Sequence, residues 1–175
     1  MVFAWIDWES EERCKAASAA MESDPEMQMP AEMPFDPKRM IYAGFEKLGE
    51  SGSPGRAGYV QGYVAPVPKA EKAAFAGMCA TMREVMIEHG ALHAVDTWAE
   101  DIADGKVTDF KRAVAAEQAE AIAFGFVEWP SKEAFEQAKP KVRGDERMPP
   151  PGSEMPLDGK RLIFGGFDVI MDSGQ

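Results

Sequence analysis

His89 is the residue of this chain best placed for acid–base chemistry. It follows Met86 by three positions and Met82 by seven, so it stands on the apolar stripe of a helix that ends there. A helix C-terminus favours a cationic imidazole, which suits proton transfer or contact with a ligand. The plainer reading is a partly buried capping histidine. Haem is a weaker thought that rests on His89 alone as an axial candidate. With two histidines and two cysteines in the chain, and no Cys-x-x-Cys pair, no metal site is expected.

Other side chains suit binding. Lys160 and Arg161 open a strand and could hold an anionic substrate, as could Arg112, although a Lys-Arg pair there commonly guards an exposed edge. Tyr63 and Trp129, with Tyr59, Trp98 and Phe126, could line a pocket between sheets; core packing is the simpler account. Gly165–Gly166 lies in no GxGxxG or P-loop pattern, so a bulge or close packing on an aromatic neighbour is expected. GxSxG, HExxH and Ser/His/Asp patterns are missing from the sequence, and no cofactor is expected.

Composition narrows the partners. Thirty acidic against 19 basic residues give a formal charge of −11, which disfavours nucleic acid and anionic membranes. No apolar run approaches the ~18 residues of a membrane span and no signal peptide opens the chain. Cys14 and Cys79 read as reduced thiols, and a cytoplasmic protein is expected.

Local patterns place these residues on elements. Residues 58–67 read as a strand and Lys69–His89 as a helix closed by Gly90. Residues 93–99 and 121–129 read as two further strands around a polar excursion, Asp101–Asp109. Ser131 caps a helix from Lys132 to about Val142, which Pro140 should shorten or bend. Lys160–Met171 reads as the last strand. The order βαββαβ is the ferredoxin-like arrangement of an α+β domain, an antiparallel sheet with helices on one face and spatial order 4-1-3-2. The last two strands are apolar on both faces, so the helix-free face needs a second layer. A second copy of the sheet is the expected supplier, as a homodimer packed sheet to sheet or as repeats packed within the chain.

The chain also repeats itself. Ser10, Asp24, Asp36 and Arg39 correspond to Ser131, Asp145, Asp158 and Arg161, and MPFDPKRMIYAGFE (33–46) to MPLDGKRLIFGGFD (155–168). Residues 1–48 are therefore expected to be a partial repeat: a strand over 2–8, a helix and a strand over 39–48. Residues 49–57 read as a Gly/Ser/Pro linker, and 58–175 as the complete unit. The missing first half is expected to reflect a truncated tandem protein; completion by strands of another chain is the alternative. Residues 1–48 would pack their apolar sheet face on the complete unit.

GYVQGYVAPVPK (58–69), EHGAL (88–92), GKVTDFKRAV (105–114) and MPLDGKRLIFGGF (155–167) together resemble the YbaA-like family, the domain of unknown function 1428. The resemblance covers 58–172, with 2–48 matching the second half only. It implies the dimeric α+β barrel superfamily and supplies no activity. The expected function is a small binding or assembly module that partners itself or a small hydrophobic ligand. The alternative is a cofactor-independent monooxygenase- or isomerase-like enzyme acting on a hydrophobic or aromatic molecule near His89.

Overall fold

A computed structural model describes residues 1–25, 33–150 and 152–173, so Pro151 of the proline-rich loop lies outside the described residues. The chain divides into two units, Met1–Met40 and Ile41–Gln175.

The second unit carries a five-stranded antiparallel sheet built from β1 (Glu46–Gly52), β2 (Tyr59–Pro68), β3 (His93–Ala99), β4 (Glu120–Trp129) and β5 (Ile163–Asp168), in the order β1-β3-β4-β2-β5. Leaving β1 aside, the expected 4-1-3-2 order is present. β2 and β4 pair without a break from Tyr59↔Trp129 to Pro68↔Glu120, as the β-branched and aromatic runs of both strands predict. Pro66 and Pro68 are tolerated because the pairing with β5 ends at Val64, so that side of β2 is an open edge where no donor is needed.

Between β2 and β3 runs α2 (Lys72–Glu88), which buries Phe75, Cys79 and Arg83, one row at four-residue spacing. His89 is its C-cap and Gly90 takes φ +104°. The Gly90 amide donates to the Ile87 carbonyl and the Ala91 amide to Met86, both at 3.0 Å, a Schellman closure that needs the left-handed glycine. Helix α4 (Lys132–Gly144) starts as expected, with the Ser131 hydroxyl accepting from the Ala134 amide at 3.2 Å. Pro140 does not cut it short; the helix continues for another turn.

The helix-bearing face packs Ala65, Val67, Phe75, Cys79 and Trp98, with Trp129 and Ala138 in an adjoining cluster. The opposite face is apolar too, and part of its second layer comes from the unit's own chain. Phe45 lies 5.2 Å from Phe110 and 5.3 Å from Phe124 between ring centres, and Ile41 and Ala43 join the same cluster. The excursion Asp101–Asp109, expected to be polar, buries Ile102 there, Phe110 and Val114 beyond it join the same cluster, and a short helix α3 (Phe110–Ala113) forms over the capping carboxylate of Asp109.

Two boundaries are corrected. Residues 49–52, expected as linker, complete β1, and residues 41–45, expected as strand, form no ladder. The exposed edge of β3 decides this: its unpaired backbone groups recruit 46–52. The last strand is also shorter than expected, 163–168.

In the unit Met1–Met40, residues 2–8 adopt no strand, contrary to expectation. Helix α1 (Glu11–Ser23) repeats the local geometry of α4: Ser10 accepts from the Arg13 amide at 3.3 Å, as Ser131 does from Ala134, and Asp24 closes the helix as Asp145 does. Asp36 accepts from the Lys38 amide at 3.0 Å and Asp158 from Lys160 at 2.9 Å. The doubled MP-x-D-x-KR stretch is thus an aspartate-capped turn in both places.

Candidate functional site

Three polar clusters and one cavity stand out in the second unit. The first cluster is built across three neighbouring strands. Asp96 of β3 and Tyr63 of β2 both face Gly125 of β4 in register. With no side chain at Gly125, the Tyr63 ring crosses β4 and its hydroxyl donates to Asp96 Oδ1 at 2.5 Å. A Cβ at Gly125 would collide with that ring and stand 2.8 Å from the Val95 carbonyl oxygen. From α2, Arg83 Nη1 bonds the other Asp96 oxygen, and Gly49 of β1 leaves room for the guanidinium.

The Tyr63 phenol and the neighbouring Cys79 thiol of α2, the potential nucleophiles here, both keep their protons. Burial, then the Asp96 charge, holds the Tyr63 phenol well above its ordinary range, and the same two causes push the Cys79 thiol up to about 12. The cluster satisfies a buried charge and offers no reactive anion at neutral pH.

On the opposite face, His93 pairs in register with Glu128, Nδ1 to Oε2 at 3.3 Å, and its Nε2 lies 3.5 Å from Glu50 of β1. Burial raises the Glu128 carboxyl, against the pull of His93. The imidazole is 7% exposed and is not among the residues that line the cavity described below.

His89, the candidate from sequence, belongs to a third cluster. Its Nε2 is 3.7 Å from Asp145 Oδ2, and Asp145 is also held by Arg147, which reaches back to Glu88. Bonding by Arg147 depresses both carboxylates. The group fastens the end of α2 to the chain after α4, at a capping position and outside the cavity.

The cavity, about 470 Å³ and half-open, lies between α4, the end of α2, and strands β2 and β5. Its wall is aromatic: Tyr59 stacks on Phe135 with ring centres 5.4 Å apart and planes at 25°, and Trp129 tilts against Phe135 at 5.6 Å. Gln61, Lys139 and Arg143 line it with Gly165 and Gly166. The expected close packing at these glycines is found: a Cβ at Gly166 would run into the Tyr59 hydroxyl, and one at Gly165 would stand 3.3 Å from the Phe167 ring. β5 pairs with β2 without a bulge.

Of the binding residues read from sequence, Trp129 lines the cavity and Tyr63 lies in the buried cluster. Arg112 bonds the Gly105 carbonyl at 2.6 Å and Asp109 at 3.3 Å, closing its own loop. Arg161 is taken up by Glu120, Asp158 and the Ala115 carbonyl. Sequence reasoning passed over Phe135, Lys139 and Arg143, although their spacing of four places them along one side of α4. Among the described residues no group of three or more His, Cys, Asp or Glu side chains could hold a metal ion, and no helix is long and apolar enough to cross a membrane.

The profile of a family described as "Protein of unknown function (DUF1428)" matches residues 1–37 and 58–159. The chain belongs to this family. Members among curated proteins include the "Uncharacterized protein YbaA" of Escherichia coli strain K12 and that of Shigella flexneri. Each is 47% identical over 114 residues, covering 65% of this chain and 97% of the relative. No relative's name carries an activity, so the function rests on the cavity.

Proposed function

We propose that the chain is a small-molecule binding module whose site is the cavity between α4 and strands β2 and β5. The observation that carries this reading is a half-open space of about 470 Å³ walled by Tyr59, Trp129 and Phe135. That size lies within the roughly 300–1,000 Å³ of ordinary small-molecule sites. Binding is favoured over catalysis because His89 is not among the lining residues and the buried phenol and thiol hold their protons. The two cysteines are free, which supports a reducing, cytoplasmic setting.

Nuclear magnetic resonance tests the reading. Adding benzamide or benzoate is expected to shift the Trp129 indole and the Gly165 and Gly166 amides. The cavity-filling variant Val142→Trp is expected to abolish those shifts without unfolding the protein. Shifts elsewhere, or none with either compound, would discard the cavity as the site.

A further inference from the structure

We infer that the ligand class is a small planar aromatic carboxylate, gripped by Arg143 and stacked along the Tyr59–Phe135–Trp129 wall. This rests on the cavity being the binding site and adds the chemistry of its occupant.

Charge decides the first half. The lining contains Glu136, Lys139 and Arg143. Lys139 is 3.6 Å from Glu136 and sits over the Phe135 ring at 5.6 Å, so the two opposite charges are matched to each other. Arg143 makes no ion pair or hydrogen bond among the described residues. Arg143 is thus the cation of the cavity lining that is left with no carboxylate of its own, whereas Arg83, Arg147 and Arg161 elsewhere in the unit are engaged. A guanidinium presents a planar fork of donors that matches a carboxylate in bidentate fashion.

Shape and orphaned polar atoms supply the second half. The stacked pair Tyr59–Phe135 offers a flat face, and the Tyr59 hydroxyl is packed against the bare backbone of Gly166, which holds that ring in place. Trp129 is 1% exposed, and its Nε1 is buried without a hydrogen-bond partner. The Gln61 amide lines the same space and is engaged by no side chain among the described residues. An aromatic anion satisfies the cation, the flat wall and the donors together, whereas an alkyl chain would leave all the polar groups unmatched.

Isothermal titration of the full chain with benzoate, benzamide and cyclohexanecarboxylate tests the inference. Benzoate is expected to bind at least tenfold more tightly than its neutral amide isostere, and more tightly than the saturated acid. Arg143→Gln is expected to erase the preference for benzoate while leaving benzamide binding as it was. Equal affinity for benzoate and benzamide, or a preference that survives Arg143→Gln, overturns the carboxylate assignment while leaving the cavity reading in place. Equal affinity for the saturated acid overturns the aromatic part. If none of the three binds, the inference and the cavity reading fall together.

Discussion

The Arg161 guanidinium forms two hydrogen bonds with the Glu120 carboxylate, 2.6 Å from Nη2 to Oε1 and 2.8 Å from Nη1 to Oε2. Its Nη1 also donates to the Ala115 carbonyl and its Nε to Asp158, each at 2.8 Å. One side chain thereby ties the turn before β5 to the start of β4 and to the loop after α3. The residue that looked in sequence like an anion binder at a strand mouth is an internal clasp, and its donors are already spent on protein oxygens.

Acid should loosen this clasp. The bond from Arg161 is the chief cause that holds the Glu120 carboxyl below its ordinary range. A carboxyl depressed in the folded state binds fewer protons there than in the unfolded chain, so it adds stability above its unfolded value near 4.5, and that stability is lost as pH falls through the folded value. Urea unfolding between pH 7 and pH 3 should show a decline beginning near pH 5. Arg161→Gln should cost about 1–3 kcal/mol at pH 7 and flatten that decline. An unchanged pH profile in the variant would discount the clasp.

A larger effect is expected at Asp96. Its carboxylate answers two buried donors, Tyr63 and Arg83, and Arg83 Nε is already without a partner. Asp96→Ala would strand the guanidinium in the core, at a cost of about 3–5 kcal/mol. The double variant Asp96→Ala with Arg83→Met should recover much of that loss, because an apolar pair carries no uncompensated charge. Chemical denaturation of the single and double variants measures the coupling.

Much of this fold was legible in the chain because its signals are local. β3 falls at 93–99 as read, Ser131 caps its helix, and Gly90 ends another in the left-handed conformation. What was not legible depends on partners distant in sequence. GESG at 49–52 reads as linker; it becomes strand because β3 has a vacant edge, and its glycines answer to tertiary demands. Gly49 leaves space for Arg83, and Gly52 takes φ +77° against the Leu92 carbonyl. The Tyr63–Asp96 bond joins residues 33 apart through the missing side chain of Gly125, which no periodicity reveals. Trp129 lines the cavity, and Phe135, Lys139 and Arg143 acquire meaning only once α4 lies against β2 and β5.

The two thiols should separate cleanly. Cys79 is 4% exposed and its thiol is pushed up to about 12, so its thiolate is negligible at pH 8, whereas Cys14 is partly exposed. Titration with a disulfide reagent in native buffer should modify one thiol rapidly, and denaturant should release the second. Mass spectrometry should place the first adduct on Cys14. Rapid labelling of Cys79 in the folded chain would refute its packing between α2 and the sheet.

The edge strand offers the last test, because its attachment depends on an absent side chain. A Cβ at Gly49 would lie 2.5 Å from Arg83 Nη2 and 3.0 Å from its Cζ. The guanidinium cannot retreat without leaving Asp96, so in Gly49→Val the strand must move instead. Leu48 would then lose its place against the Ala65–Phe75–Trp98 cluster, and Lys72 its bond with Glu46 at 3.0 Å. The rest of the sheet should persist, since β2 and β4 pair unbroken from Tyr59 to Pro68 without any contribution from β1. Hydrogen exchange should therefore accelerate across 46–52 and along the β3 amides that face it, while the amides between β2 and β4 keep their protection. Uniform acceleration through the sheet would show instead that β1 is an integral part of the core and not an added edge.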